Sequence, residues 1–127
     1  MKKEDKLLQE LRFEITFYER LVSGKQNFAD ALIPLANAYT RVGLYEKGLE
    51  IDKRLAKLKP NDETIHYNLA CSYSLLGITD KALEALEKSF QLGYRDLNHL
   101  RKDKDLNNLK NDARFAKLLE KHFRAKT

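Results

Sequence analysis

The stretch Leu35-Ala36-Asn37-Ala38-Tyr39-Thr40-Arg41-Val42-Gly43-Leu44 returns 34 residues later as Leu69-Ala70-Cys71-Ser72-Tyr73-Ser74-Leu75-Leu76-Gly77-Ile78. Extending the match outward aligns residues 29–62 with 63–96 without a gap, and adds Lys47/Lys81, Leu49/Leu83, Glu50/Glu84 and Leu58/Leu92 to the identities at Leu35, Ala36, Tyr39 and Gly43. A fixed period of this length is the mark of stacked, similar units. Within each copy, apolar residues sit at helical spacing on both sides of a glycine: Leu32, Leu35, Ala36, Tyr39 and Val42 before Gly43, then Leu44, Leu49, Leu55 and Leu58. The unit is therefore helix, turn, helix. Gly43 and Gly77 can take the left-handed conformation that closes a helix, and Pro60 lacks the N–H needed to continue one. Asn61 and Asp62 are placed to cap the next helix, as are Asn27 and Thr79 or Asp80 elsewhere. Pro34 falls inside the first helix, which must begin late, near Asp30, or bend there.

The bulk numbers fit one soluble domain. The chain has 127 residues, 43% hydrophobic and 34% charged, with helix-favouring Leu, Lys, Glu and Ala throughout. No apolar run reaches the roughly 18 residues of a membrane span, and the basic N-terminus leads into an amphipathic stretch, which together predict a cytoplasmic protein. One cysteine, Cys71, excludes an internal disulfide. The net charge of +5 is local: residues 1–94 hold 14 Lys/Arg and 14 Asp/Glu, whereas residues 95–127 hold 10 and 5. A basic end attracts acidic partners or nucleic acid through Arg95, Arg101, Lys102, Lys104 and Lys110. Acids interspersed among these residues, and the lack of a stacking-aromatic motif, favour a solvated helical surface.

The repeated segments resemble the tetratricopeptide repeat. Leu32-x-x-Leu35-Ala36-x-x-Tyr39 and His66-x-x-Leu69-Ala70-x-x-Tyr73 fit its first half, and Pro60 sits at its terminal proline. Leu32 and His66 stand where the pattern has a large aromatic, Asp52 and Leu86 where it has Phe, and Tyr94 where it has a second proline. The expected architecture is an all-α domain over residues 1–127: an α-α superhelix, or tetratricopeptide-like solenoid, of two full repeats at 29–62 and 63–96. Residues 5–28 read as a degenerate first repeat, with Leu7, Leu8, Leu11, Ile15, Tyr18, Leu21 and Val22 inward and Ser23-Gly24 as the stop. Residues 97–127 read as a C-terminal cap of a short and a longer helix, with Asp96, Asp103 or Asp105, and Asp112 as N-caps. Two repeats need such flanks, because about three stacked units are required to close a core.

What the resemblance implies is a concave groove that binds a peptide or protein segment, the alternative being that the terminal helices fold into it or that it serves only as scaffold. Carried onto this sequence, the groove-facing positions are Asp30, Ile33, Asn37, Thr40 and Arg41 in one repeat, and Thr64, Tyr67, Cys71, Ser74 and Leu75 in the other. Asn37 offers a donor and an acceptor to a peptide backbone, Arg41 pairs with a carboxylate, and Ile33 with Tyr67 hold an apolar side chain. The carboxylate clamp of chaperone-binding members is set aside: Asn37 and Asn68 match its asparagines and Lys102 approximates a basic position, but Ile33 and Asn98 replace its lysines.

No residues assemble into a reaction centre. Asp103-x-Asp105 lacks the glycine and the distant glutamate of a calcium loop. His66, His99 and His122 lie far apart, with no His-x3-His or Cys-x2-Cys pair, so neither a metal nor another cofactor is expected. Cys71 reads as a small packing residue, and the five glycines as helix punctuation, with no phosphate loop or nucleophile elbow. The expectation is a non-enzymatic binding module for a protein partner. Its rival is a self-associating module that buries Leu, Phe and Tyr of its terminal helices in a symmetric dimer.

Overall fold

A computed structural model describes residues 3–24 and 28–124. Among them every regular element is helical: α1 (Lys3–Gly24), α2 (Ala29–Arg41), α3 (Tyr45–Leu58), α4 (Glu63–Leu75), α5 (Thr79–Gln91), α6 (Leu97–Lys102), a 3-10 turn (Lys104–Leu106), α7 (Asn107–Lys110) and α8 (Ala113–Phe123). The chain divides into two compact units, Met1–Leu58 and Lys59–Thr127.

In the first unit α2 packs against both α1 and α3. Leu11, Ile15 and Val22 of α1, Ala31, Leu32, Leu35, Ala36 and Tyr39 of α2, and Leu49, Ile51 and Leu55 of α3 are buried. Asp52, at the position the repeat pattern gives to Phe, is also buried, at 4% exposure, between the apolar Ile51 and Leu55. The inward face expected for α1 is narrower than its sequence pattern. Tyr18 is half-buried, and Leu7, Leu8 and Leu21 are exposed, because α2 covers only one stripe of this 22-residue helix. Pro34 lies within α2, whose start at Ala29 puts the proline in the second turn, where the helix forgoes a bond to the Asp30 carbonyl.

In the second unit α4 and α5 form the most extensive helix pair, and the C-terminal elements close over them. The core joins Tyr67, Ala70 and Cys71 of α4 to Ala82, Leu83, Leu86 and Phe90 of α5, and to Leu100, Leu106, Leu109 and Phe115 of the C-terminal elements. Phe123 meets the Phe90 ring edge-on, with centroids 5.0 Å apart.

The helix ends repeat as the sequence does. Gly43 has φ 87° and Gly77 φ 74°, values that L side chains rarely adopt. After α2 the Gly43 N–H donates to Thr40 O and the Leu44 N–H to Tyr39 O; after α4 the Gly77 N–H donates to Ser74 O and the Ile78 N–H to Tyr73 O. This pair of bonds satisfies carbonyls left over at the helix end and reverses the chain in three residues. The caps Asp62, Asp96, Asp103 and Asp112 all accept backbone N–H bonds at the starts of their helices. The α5 cap differs from expectation: its N-cap is Ile78, with no side-chain bond, and Asp80 instead accepts from Arg114 at 2.8 Å. Asn27, expected to cap α2, lies outside the described residues.

One substitution between the copies shows how tightly the hairpins close. A Cβ added at Gly48 would stand 2.9 Å from Thr40 Oγ1, itself bonded to Ala36 O. Thirty-four positions on, the residues are Ser74 and Ala82, both fully buried. One copy thus carries Thr and Gly, the other Ser and Ala, so a methyl group has changed sides at constant total volume. Because the close atom is the hydroxyl oxygen, Gly48→Ala is better tolerated in a Thr40→Ala background than in the native chain, with a coupling of about 1 kcal/mol in urea unfolding; additive effects would contradict this reading.

Candidate interaction surface

The ten groove positions fall into two chemically different sets. On α2, Asp30, Ile33, Asn37 and Arg41 are exposed at spacings of three and four residues, which line them along one face. Ile33 is 40% exposed. The side chains of Asn37 and Arg41 hydrogen-bond to no described residue. Thr40 is half-buried and turns its hydroxyl to Ala36 O, 3.1 Å away.

On α4, Thr64 is exposed and Leu75 half-buried, but Tyr67, Cys71 and Ser74 lie in the interior of the second unit and not on an open face. The reason is the segment after α5. Tyr94 stacks on Tyr67 with ring centroids 4.3 Å apart and planes 4° from parallel. The Tyr67 hydroxyl donates to Asp103 Oδ2 at 2.6 Å, and the Cys71 thiol donates to the same oxygen at 3.6 Å. Asn108 Nδ2 donates to Ser74 O at 2.7 Å, and Lys110 Nζ ties the 3-10 turn by donating to Arg101 O and Asp103 O. Ser74 Oγ, fully enclosed, has no hydrogen-bond partner among the described residues.

The electrostatics of this clasp follow from its burial. Desolvation, then the neighbouring Cys71 and Asp103, push the Tyr67 hydroxyl well above its ordinary value, so that it stays a donor. Desolvation, then the Asp103 and Asp105 carboxylates, push the Cys71 thiol up likewise, so that it too stays a donor. Burial raises Tyr94 to about 12 and, with the Asp103 charge, raises Asp105 above the usual carboxylate range. Ligand atoms of Cys71, Asp103 and Asp105 lie within 4.8 Å of one another, with His99 Nε2 3.3 Å from Asp103. This is the one group of three or more His, Cys, Asp or Glu side chains brought together in this way among the described residues. Sequence reading did not find it, because 32 residues separate Cys71 from Asp103. Hydrogen bonds from the Cys71 thiol and the Asp105 backbone N–H to the Asp103 carboxylate hold these three residues together.

Of the basic residues Arg95, Arg101, Lys102, Lys104 and Lys110, two are also engaged within the fold. Arg95 Nη1 donates to Phe90 O and Tyr94 O, and Lys110 serves the clasp. A cleft of about 420 Å³ lies in the first unit between α1 and the α2–α3 turn. Arg12, Glu19 and Lys47 line it together with the apolar Leu8, Ile15, Val42 and Leu44. Glu19 accepts the Tyr39 hydroxyl, and Lys47 lies 5.7 Å over the Tyr39 ring.

Fold and surface define an all-α protein of helical hairpins with an exposed polar stripe on α2 and a C-terminal segment clasped to α4. Among the described residues no helix is long and apolar enough to cross a membrane. No protein-family model matches the chain. A chloroplastic protein of Arabidopsis thaliana is 35% identical to it over 85 residues, which make up 65% of this chain and 25% of that protein. The chain thus spans about a quarter of the length of this relative.

Replacing Tyr67 by Phe leaves the ring stacking but strips a donor from the half-buried Asp103, so the variant loses about 1–3 kcal/mol of stability in urea unfolding. In the native chain, Cys71 is alkylated by iodoacetamide at pH 8.5 at least about a hundredfold more slowly than in the urea-unfolded chain. Native stability or native alkylation at the unfolded rate would each contradict the clasp.

Proposed function

We propose that this chain is a non-enzymatic protein-interaction module of tetratricopeptide type, which takes an extended segment of a partner protein against the exposed face of α2. The observation that carries this reading is the pairing of Asn37 and Arg41. They are exposed about one turn apart, free of hydrogen bonds to any described residue, and flanked by the apolar Ile33. A polar side chain on a rigid helix that satisfies nothing within its own fold is available for a partner. Asn37 supplies one donor and one acceptor set to a peptide backbone, Arg41 a planar fork for a carboxylate, and Ile33 an apolar anchor.

Support for the repeat assignment comes from the 34-residue period, from the matching helix ends at Gly43 and Gly77, and from the helical hairpins α2–α3 and α4–α5. The α4 positions do not share the recognition role, because Asp103 and Tyr94 already engage Tyr67. The reading thus narrows ten candidate residues to Ile33, Asn37 and Arg41 of the first unit, with Asp30 at the margin.

The test is selection of binding peptides from a displayed random library on the full chain, followed by calorimetry. Asn37→Ala and Arg41→Ala are each expected to weaken the selected peptides about tenfold, equivalent to about 1.4 kcal/mol, with the thermal midpoint unchanged. Peptides that bind both variants as tightly as the native chain would place recognition elsewhere.

A further inference from the structure

Among the described residues, the most exposed large apolar side chains lie on α1, opposite the face that α2 covers. Phe13 is 74% exposed and Phe17 51%, with Leu21 exposed beside them. At 100° per residue Phe13 and Phe17 stand across the helix from the buried Leu11, Ile15 and Val22, with Leu21 to one side. Lys6, Glu10, Phe13, Phe17 and Arg20 succeed one another at intervals of four, three, four and three residues, the spacing of a seam between two helices. The side chains of Glu10 and Arg20 pair with no described residue.

We propose that this seam joins two copies of the chain through antiparallel α1 helices. The occupant is identified by the order of charges. In an antiparallel pair with its two-fold axis at Ile15, residue i of one copy faces residue 30 − i of the other. Phe13 then faces Phe17 of the second copy, and Glu10 faces Arg20. Symmetry forms each contact twice, so four phenyl rings make a central cluster closed at both ends by a Glu–Arg pair. A parallel pair would set Glu10 against Glu10 and Arg20 against Arg20. The seam is therefore complementary to itself in one orientation only. Exposed ion pairs contribute little affinity but fix register and orientation, while the aromatic cluster supplies the attraction. An interface of one helix against one helix is small, so the dimer exchanges with monomer on dilution. This surface is separate from the α2 stripe, and the inference stands independently of the proposed function.

Sedimentation equilibrium on the full chain tests it. The native protein is expected to show a concentration-dependent monomer–dimer equilibrium, weakened more than tenfold by Phe13→Ser with Phe17→Ser. Because both phenylalanines are exposed, circular dichroism should show the variant folded. Glu10→Arg alone and Arg20→Glu alone should each weaken the native dimer, by opposing like charges at both ends. The Glu10→Arg, Arg20→Glu double variant should recover it, and so should an equimolar mixture of the two single variants, as a heterodimer. A native chain that stays monomeric up to about 1 mM, where even weak association registers, would overturn the proposal. So would a dimer indifferent to the charge exchange, or to loss of both phenylalanines; occupation of the seam by a helix of another protein would give the monomeric result.

Discussion

Each hairpin depends on a glycine held at positive φ directly after its first helix. Gly43 and Gly77 reverse the chain within three residues, and the two backbone bonds at each turn fix where the second helix starts. Once that turn is set, the apolar stripes of α2 and α3, and of α4 and α5, have no choice but to face one another. The close approach at Gly48, and the exchange of a methyl group between Thr40/Gly48 and Ser74/Ala82, are consequences of that enforced proximity. The same closing geometry recurs after α5, where the Gly93 N–H donates to Phe90 O and the Tyr94 N–H to Ser89 O, and it launches the chain toward the C-terminal elements.

What those elements do is decided by one carboxylate. Asp103 accepts from Tyr67 and Cys71 with one oxygen and caps the 3-10 turn through the Asp105 N–H with the other. Bonds to a charged acceptor in a partly buried setting are worth more than neutral ones, and removing a donor leaves a carboxylate short of partners. The clasp, the Tyr67–Tyr94 stack and the apolar Leu100, Leu106, Leu109 and Phe115 cooperate to cover α4. The consequence for function is an asymmetry: Tyr67 and Cys71 are committed to folding in one unit, whereas Ile33 and Asn37 at the equivalent positions are left to solvent in the other.

The helices, their turns and most caps were legible because they rest on local rules. Periodicity reports a buried face, glycine reports positive φ, and an aspartate before a helix reports a cap; Asp62, Asp96, Asp103 and Asp112 all behave so. The interior of the second unit was not legible, because Tyr67, Cys71 and Asp103 meet only through folding and no sequence rule joins residues 32 or 36 apart. An available signal was the run of Leu106, Leu109 and Phe115, apolar enough to seek cover over α4. The α1 helix was misjudged for a related reason. Its sequence offers apolar residues on more than one side, and only the neighbour present in the fold reveals that Leu11, Ile15 and Val22 turn inward while Leu7, Leu8 and Leu21 do not.

Which faces are open is the claim on which the functional reading turns, and relaxation by a soluble paramagnetic gadolinium chelate measures it directly by nuclear magnetic resonance. Strong enhancement of side-chain protons is expected at Ile33 and Asn37, with the Tyr67 ring and the Cys71 methylene protected. Equal enhancement at the α2 and α4 positions would mean that the C-terminal segment leaves α4 uncovered, and the distinction drawn between the two helices would be lost.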